Sequence, residues 1–339
     1  MSLHSTEGNP WCGGLSAPPS RADLSLSLGT PVRRPAGQRL RHPADPPGLS
    51  RLAMGGRLDE AVTALLPLKN HHPVYLREAI DSMFAQTSPA WRLLVIVEPE
   101  DREQFRTLLA ADLREPRVRL IANEGRGLAG AFNTGMRAAD TDFVAILLGD
   151  DLWAPCAVQS LVEAIRAHPQ VDFFHSGRRV VDDAGRPVAD QPLPSDAFTA
   201  SDFIDRSPVK HLLCWRRTCA LAIGGMDETI NNIGPDDYDF PWTMLEHGAV
   251  FRALPEYLYV YRDHRSAYRL TTHLPLNVHL RELRRILTKH GVAAGQMRRR
   301  LRQAKRGYLR QCLYRNDLHR FFKALIGSSP ESGWRQKRP

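Results

Sequence analysis

The sequence predicts an α/β protein built on a doubly wound, mostly parallel sheet. Three observations lead there. Short apolar runs alternate with helical spacing from residue 61 to residue 165, the rhythm of strand-helix-strand units. The runs are continuous rather than alternating, as in Phe143–Leu148, which suits strands buried on both faces. That run then stops in two adjacent carboxylates, Asp150 and Asp151, at a strand's carboxyl end, where open α/β sheets bind ligands.

Each element follows in order. Ala61–Leu66 reads as the first strand. Pro73 opens a helix in which Leu76, Ala79, Ile80, Met83 and Phe84 share one face. Arg92–Val97 is the second strand, Glu103–Leu113 a helix and Val118–Ile121 the third strand. Leu128–Ala139 is helical in spacing despite Gly130 and Gly135, and Phe143–Leu148 is the fourth strand. Val158, Leu161, Val162 and Ile165 stripe the helix after it. Beyond residue 170 the rhythm changes. Val171–His175 and Arg178–Val181 read as strands, with Asp183–Gly185 as a turn. Ser195–Asp205 is a turn-rich loop, and His211–Trp215 and Val250–Tyr261 are further strands. Between them a helix ends near His247, with Gly248 suited to its C-terminal cap. From Leu280 the chain is helical and basic.

The net charge of +9 is unevenly spread. Residues 58–280 carry 22 Lys and Arg against 31 Asp and Glu, whereas residues 281–339 carry 17 against 3. An acidic body with a basic appendage argues against nucleic-acid binding. Residues 1–57, rich in Ser, Pro, Gly and Arg, read as disordered. The five cysteines show no metal-type or Cys-x-x-Cys spacing, and no apolar run is long enough to span a bilayer. The expected location is cytoplasmic.

Three stretches carry chemistry. Asp150 and Asp151 could share a divalent cation that grips a diphosphate, or Asp151 could simply cap the next helix. Asp236, Asp237 and Asp239 precede a helix, where one carboxylate could serve as a general base or all could complement the helix dipole. Gly125-Arg-Gly-Leu-Ala-Gly130 satisfies the dinucleotide-binding pattern. Its place after the third strand, with Asn123 and Glu124 intervening, weighs against an NAD(P)-dependent oxidoreductase.

Together these pieces resemble a family 2 glycosyltransferase of the GT-A fold, over about residues 60–266. Leu66-Pro67-Leu68-Lys69-Asn70 is similar to the family's first strand end, and Tyr75–Gln86 to its first helix. Asn123-x-Gly125 with Asn133-x-Gly135 resembles the segment before the metal strand. Leu148-Gly-Asp-Asp-Leu-Trp resembles the metal and diphosphate stretch, with Leu148 where the first Asp is usual. Gly224–Glu228 followed by Asp236-Asp237 resembles the motifs that supply the base, and Tyr261-Arg-Asp-His264 a late metal-site motif. Glu98-Pro99 replaces the usual Asp-Asp-Gly, and Phe132 stands where Arg often precedes the Asn.

The resemblance implies an inverting, metal-assisted transferase acting in polysaccharide assembly, or a catalytically degenerate binding module of the same fold. Asp237, with Asp236 as second choice, would be the base. Pro67, Asn70, Glu98, Asn133 and Asp150 would meet the nucleotide sugar, and Asp150, Asp151 and His264 would hold Mg²⁺ or Mn²⁺. The donor would be a UDP-, GDP- or dTDP-sugar and the acceptor a glycan, lipid-linked or small-molecule hydroxyl. The domain would occupy residues 58–280, divided into a nucleotide-sugar half (58–155) and an acceptor half (156–280), followed by a basic tail (281–339). In that tail Leu301, Ala304, Tyr308 and Cys312 keep helical spacing among arginines. They predict either a helix packed on the acidic body or an interfacial helix on the inner membrane face.

Overall fold

The computed structural model describes residues 61–69, 71–231, 233–263 and 274–314, with isolated positions beyond. Residues 1–57, Asn70 and His264 lie outside the described residues. The elements in order are β1 (Val62–Leu68), α1 (Pro73–Phe84), β2 (Trp91–Val97), α2 (Arg102–Leu108), β3 (Val118–Ala122), α3 (Gly127–Ala138) and β4 (Phe143–Ile146). Then come β5 (Leu152–Trp153), α4 (Ala157–Ala167), β6 (Phe173–Val181), β7 (Pro187–Asp190), β8 (Leu213–Arg216) and α5 (Arg217–Ala222). The chain continues through α6 (Phe240–Glu246), β9 (Phe251–Arg262), α7 (Leu276–Lys289) and α8 (Ala294–Tyr314).

One sheet runs in the order β3-β2-β1-β4-β8-β6-β9-β5, with β7 on the side of β6. The pairings β1 with β2, β2 with β3 and β1 with β4 are parallel. Beyond β4 the sheet is mixed, because β8 runs antiparallel to both β4 and β6 while β6 and β9 are parallel. The two strands expected at 171–181 are one, β6, and 195–205 contains a short 3₁₀ turn, Ala200–Ile204, closed by a Thr199/Asp202 capping box.

Strand alternation divides the core between two faces. Val62, Ala64, Leu66 and Leu68 pack with α1 and α4. Leu65, Leu94, Ile96, Val144 and Ile146 pack on the other face with α3, α6 and α7. From α7, Leu283, Ile286 and Leu287 are fully buried there, each contributing about 1.5–3 kcal/mol of transfer free energy. A boundary at residue 280 therefore cuts through a helix of the body. The stripe Ala304, Tyr308 and Cys312 of α8 is buried too, Ala304 in the same core as Leu283, Ile286 and Leu287, and Tyr308 and Cys312 beside Leu276 and Leu280 of α7. The packing alternative for this helix is the one realised.

Candidate active site

The chain lays β1, β2 and β3 side by side in one direction and then places β4 on the opposite flank of β1. The crevice at the carboxyl ends of β1 and β4 is therefore a topological switch point, the usual ligand site of such sheets. Pro67 is the next-to-last residue of β1, Glu98 directly follows β2, and Asp150 and Asp151 sit between β4 and β5.

The two adjacent aspartates have different surroundings. Asp151 is buried: its Oδ2 accepts from the Tyr259 hydroxyl at 2.9 Å and its Oδ1 from the Arg262 amide at 2.8 Å. Burial first, and the neighbouring Asp150 charge second, push its carboxyl well above the ordinary range, against the pull of those two donors. Both oxygens are committed to holding the end of β9 against the β4–β5 turn. The reading of Asp151 as a cation ligand is accordingly replaced by a structural one. Asp150 is half-buried, and its carbonyl accepts from Arg262 Nε at 3.1 Å. The Arg262 guanidinium also pairs with Glu78 and lies over the Tyr75 ring, 4.4 Å from its centroid, tying α1 to the same turn.

The second acidic group rides on a π turn, Pro235–Asp239, entered through Gly234 at φ +43°. Both Tyr238 N and Asp239 N donate to Gly234 O, at 3.2 and 2.9 Å. Such single π turns widen the backbone and often accompany functional sites. Asp239 turns inward, to Lys289 Nζ at 2.7 Å and His290 Nε2 at 3.0 Å, so α7 anchors the turn from behind. Asp236 is buried against His211 Nε2 at 3.2 Å. Asp237 keeps partial contact with solvent. Burial, then the Asp236 charge, raises its carboxyl, while His211, Lys210 and Arg178 hold it down.

These two acidic groups, 86 residues apart in sequence from Asp151 to Asp237, meet in one place. Asp151 accepts from Tyr259, whose ring lies 5.2 Å from that of His211, and His211 reaches Asp236. Arg178 acts electrostatically on both Asp151 and Asp237. Its guanidinium stacks 4.4 Å over Tyr261 and donates to Gln191 Oε1 at 3.2 Å. The antiparallel β6–β8 register runs from Phe173 with Trp215 through His175 with Leu213, and Lys210 and Arg178 both act electrostatically on Asp237. Tyr259, His211, Lys210 and Arg178 escaped the sequence reading because each lies in or beside a run that looks like strand core.

Asn133 plays another part than the expected nucleotide contact. It is buried, its Nδ2 donating to Met226 O and Glu228 Oε1 at 2.9 Å each, and its Oδ1 accepts from Met226 N at 2.8 Å. Gly225, at φ +77°, admits this approach: a Cβ there would fall 2.3 Å from Asn133 Oδ1. Glu228 Oε2 accepts from Arg126 N at 2.8 Å and Asn231 Oδ1 from Ala129 N at 3.0 Å. The positive end of α3 is thus satisfied by the chain's own carboxylate and amide. Gly125 and Gly130 are close-packed under Glu228, since a Cβ on Gly130 would lie 2.4 Å from Gly125 carbonyl carbon. That explains the glycine pattern without a dinucleotide, whose pyrophosphate would need the same helix end. Glu98 Oε1 accepts from Asn123 Nδ2 at 3.2 Å.

Among the described residues no three His, Cys, Asp or Glu side chains converge as a metal cage. The donor set fits a Mg²⁺-like ion in a narrower sense, since such ions are commonly held by one or two carboxylates plus substrate phosphates. Asp150, half-buried between β4 and β5, is a carboxylate of that kind. Among the described residues no helix is long and apolar enough to cross a membrane.

Comparison with known proteins bears on this geometry. Residues 63–212 match the family described as glycosyl transferase family 2. The succinoglycan biosynthesis protein ExoW of Rhizobium meliloti is 39% identical over 98 residues, 28% of this chain and 30% of that protein. The O-antigen biosynthesis protein RfbC of Myxococcus xanthus is 25% identical over 211 residues, 61% of this chain but 16% of that protein. This chain thus covers less than a third of either relative's length. Crystal structures of S. aureus TarS 1-349, alone and in complex with UDP-GlcNAc, each superpose with a TM-score of 0.53 at 14% and 13% identity. Each match covers 78% of this chain, with 80% and 79% of the respective TarS chain. At such identity the likeness is one of fold.

Proposed function

This chain carries a family 2 glycosyltransferase domain of the GT-A fold, and on that premise we propose that it is an inverting transferase moving a sugar from a nucleotide donor to an acceptor hydroxyl. The observation that carries the reading is Asp237: a carboxylate in partial contact with solvent, raised above its ordinary range, on a π turn beside the β4 switch point.

The donor would lie across the ends of β1, β2 and β4, against Pro67, Glu98 and Asp150, in residues 58–155. The acceptor would enter from residues 156–280, above the π turn. Asp237 takes the acceptor O–H proton as that oxygen bonds to the anomeric carbon from the face opposite the diphosphate. The bond from anomeric carbon to phosphate oxygen breaks, and its electron pair leaves with the nucleoside diphosphate. Mg²⁺ or Mn²⁺ at Asp150 would offset charge on that leaving group. Asp236, held by His211, positions its neighbour and raises its basicity.

A glycan or lipid-linked acceptor is supported by relatives whose names place them in succinoglycan and O-antigen biosynthesis. The donor is a UDP-, GDP- or dTDP-sugar, and the work is done in the cytoplasm. In the Asp237→Asn variant, turnover should fall by about 10²–10⁴-fold, the usual worth of a general base. Nucleotide-sugar affinity, measured by calorimetry, should stay within a few fold. Lost donor affinity in that variant would move Asp237 to the donor site and remove the base assignment.

A further inference from the structure

α8 spans residues Ala294–Tyr314 and contains no Asp or Glu. Its apolar stripe is spent on packing, with Ala304, Tyr308 and Cys312 buried. Two of its cations are engaged by the body: Arg299 binds the Asp205 carboxylate at 3.0 and 3.1 Å, and Arg300 acts electrostatically on Tyr238. Five others, Arg298, Arg302, Lys305, Arg306 and Arg310, are exposed and make no ion pair among the described residues.

At 100° per residue these five fall within an arc of about 140° beside the buried stripe, with Lys305 at the edge next to Cys312, and Arg299 shares the arc. From Arg298 to Arg310 the row is about 18 Å long at 1.5 Å per residue. Leu313 falls within the same arc and is 51% exposed. Acids on the body could have neutralised the row, yet among the described residues the one paired with α8, Asp205, is taken by Arg299. Uncompensated like charges at such spacing repel each other, so the face is disposed to accept an external anionic array.

We propose that this face of α8 docks on an anionic phospholipid surface, with the cations at the headgroups and Leu313 at the acyl boundary. The exposed leucine decides between polyanions. A phosphodiester backbone gains nothing from it, whereas a headgroup–acyl boundary buries it. The body is acidic, carrying 22 basic against 31 acidic residues over 58–280. Electrostatics would therefore turn α8, rather than the rest of the protein, toward such a membrane.

The test uses the full chain and vesicles of phosphatidylcholine, with or without phosphatidylglycerol. Co-sedimentation should require phosphatidylglycerol and weaken as salt rises. R302Q/R306Q/R310Q should lower vesicle partitioning on the order of a hundredfold, about fivefold for each cation. The matching lysine triple should retain partitioning, and Leu313→Ser should weaken it in a salt-insensitive way. All three sets of side chains face solvent, and unchanged thermal unfolding checks that the fold is intact. The proposal is overturned by equal partitioning of the glutamine triple, by equal binding to neutral vesicles, or by no binding. Binding to a DNA or RNA oligonucleotide without vesicle binding overturns it as well. Transfer to a soluble acceptor should be unchanged in the glutamine triple, so failure here leaves the transferase reading untouched.

Discussion

Asp237 has a carboxyl that burial and Asp236 raise, and that His211, Lys210 and Arg178 hold down. A base must be unprotonated to work, so turnover should rise with pH through a limb lying above the ordinary carboxylate range. Removing a cation that favours the charged form raises the pKa further. In Lys210→Met the limb of the kcat–pH profile should therefore move to higher pH, and in Asp236→Asn to lower pH. A limb that stays in place in both variants would mean another group titrates. At this scale the acids themselves were legible in the sequence, because carboxylates at a strand end and before a helix are unusual. Their division of labour was not. Asp150 and Asp151 look equivalent as letters, and only the Tyr259 hydroxyl and the Arg262 amide, 108 and 111 residues away, distinguish them.

At the scale of elements, α3 and the 224–231 loop act as one unit. Asn133 clasps the loop from inside the helix, and Glu228 with Asn231 closes the helix's exposed end. That loop leads directly into the π turn, so the clasp positions the candidate base at a distance. Asn133→Ala strips the partner from a buried Met226 amide and should cost about 1–3 kcal/mol, read as a lower urea midpoint. An unchanged midpoint would show that the clasp carries no weight. The four parallel strands of residues 61–148 could be read from spacing to within two residues, because strands buried on both faces leave continuous apolar runs, whereas the helix read over 103–113 ends at Leu108 and the two-residue β5 left no signal. The second half was harder. There β6 crosses Ser176, Gly177 and two arginines, and its register with β9 shifts at Gly177, so one strand looked like two. The π turn has no sequence period of its own.

Across the whole molecule the charge divides an acidic body from a cationic helix, and the fold explains why they stay together. α7 is part of the core, and α8 leans on it through its apolar stripe while leaving Arg298, Arg302, Lys305, Arg306 and Arg310 exposed. Sequence spacing correctly separated a stripe from its charges, but the amphipathic pattern is the same for a packed helix and an interfacial one. The partner across the stripe decides. The central claim is that the β1–β4 crevice binds a nucleotide sugar rather than a dinucleotide. Thermal unfolding of the full chain tests it most directly, with UDP-, GDP-, dTDP- and CMP-sugars, with and without Mn²⁺, alongside NAD(P). At a hundredfold excess over Kd, binding adds about 2.7 kcal/mol, a rise of several degrees in Tm. The predicted result is such a rise with one nucleotide sugar, dependent on Mn²⁺ and lost in Asp150→Asn. A metal-independent rise with NAD(P), and none with any nucleotide sugar, would contradict it.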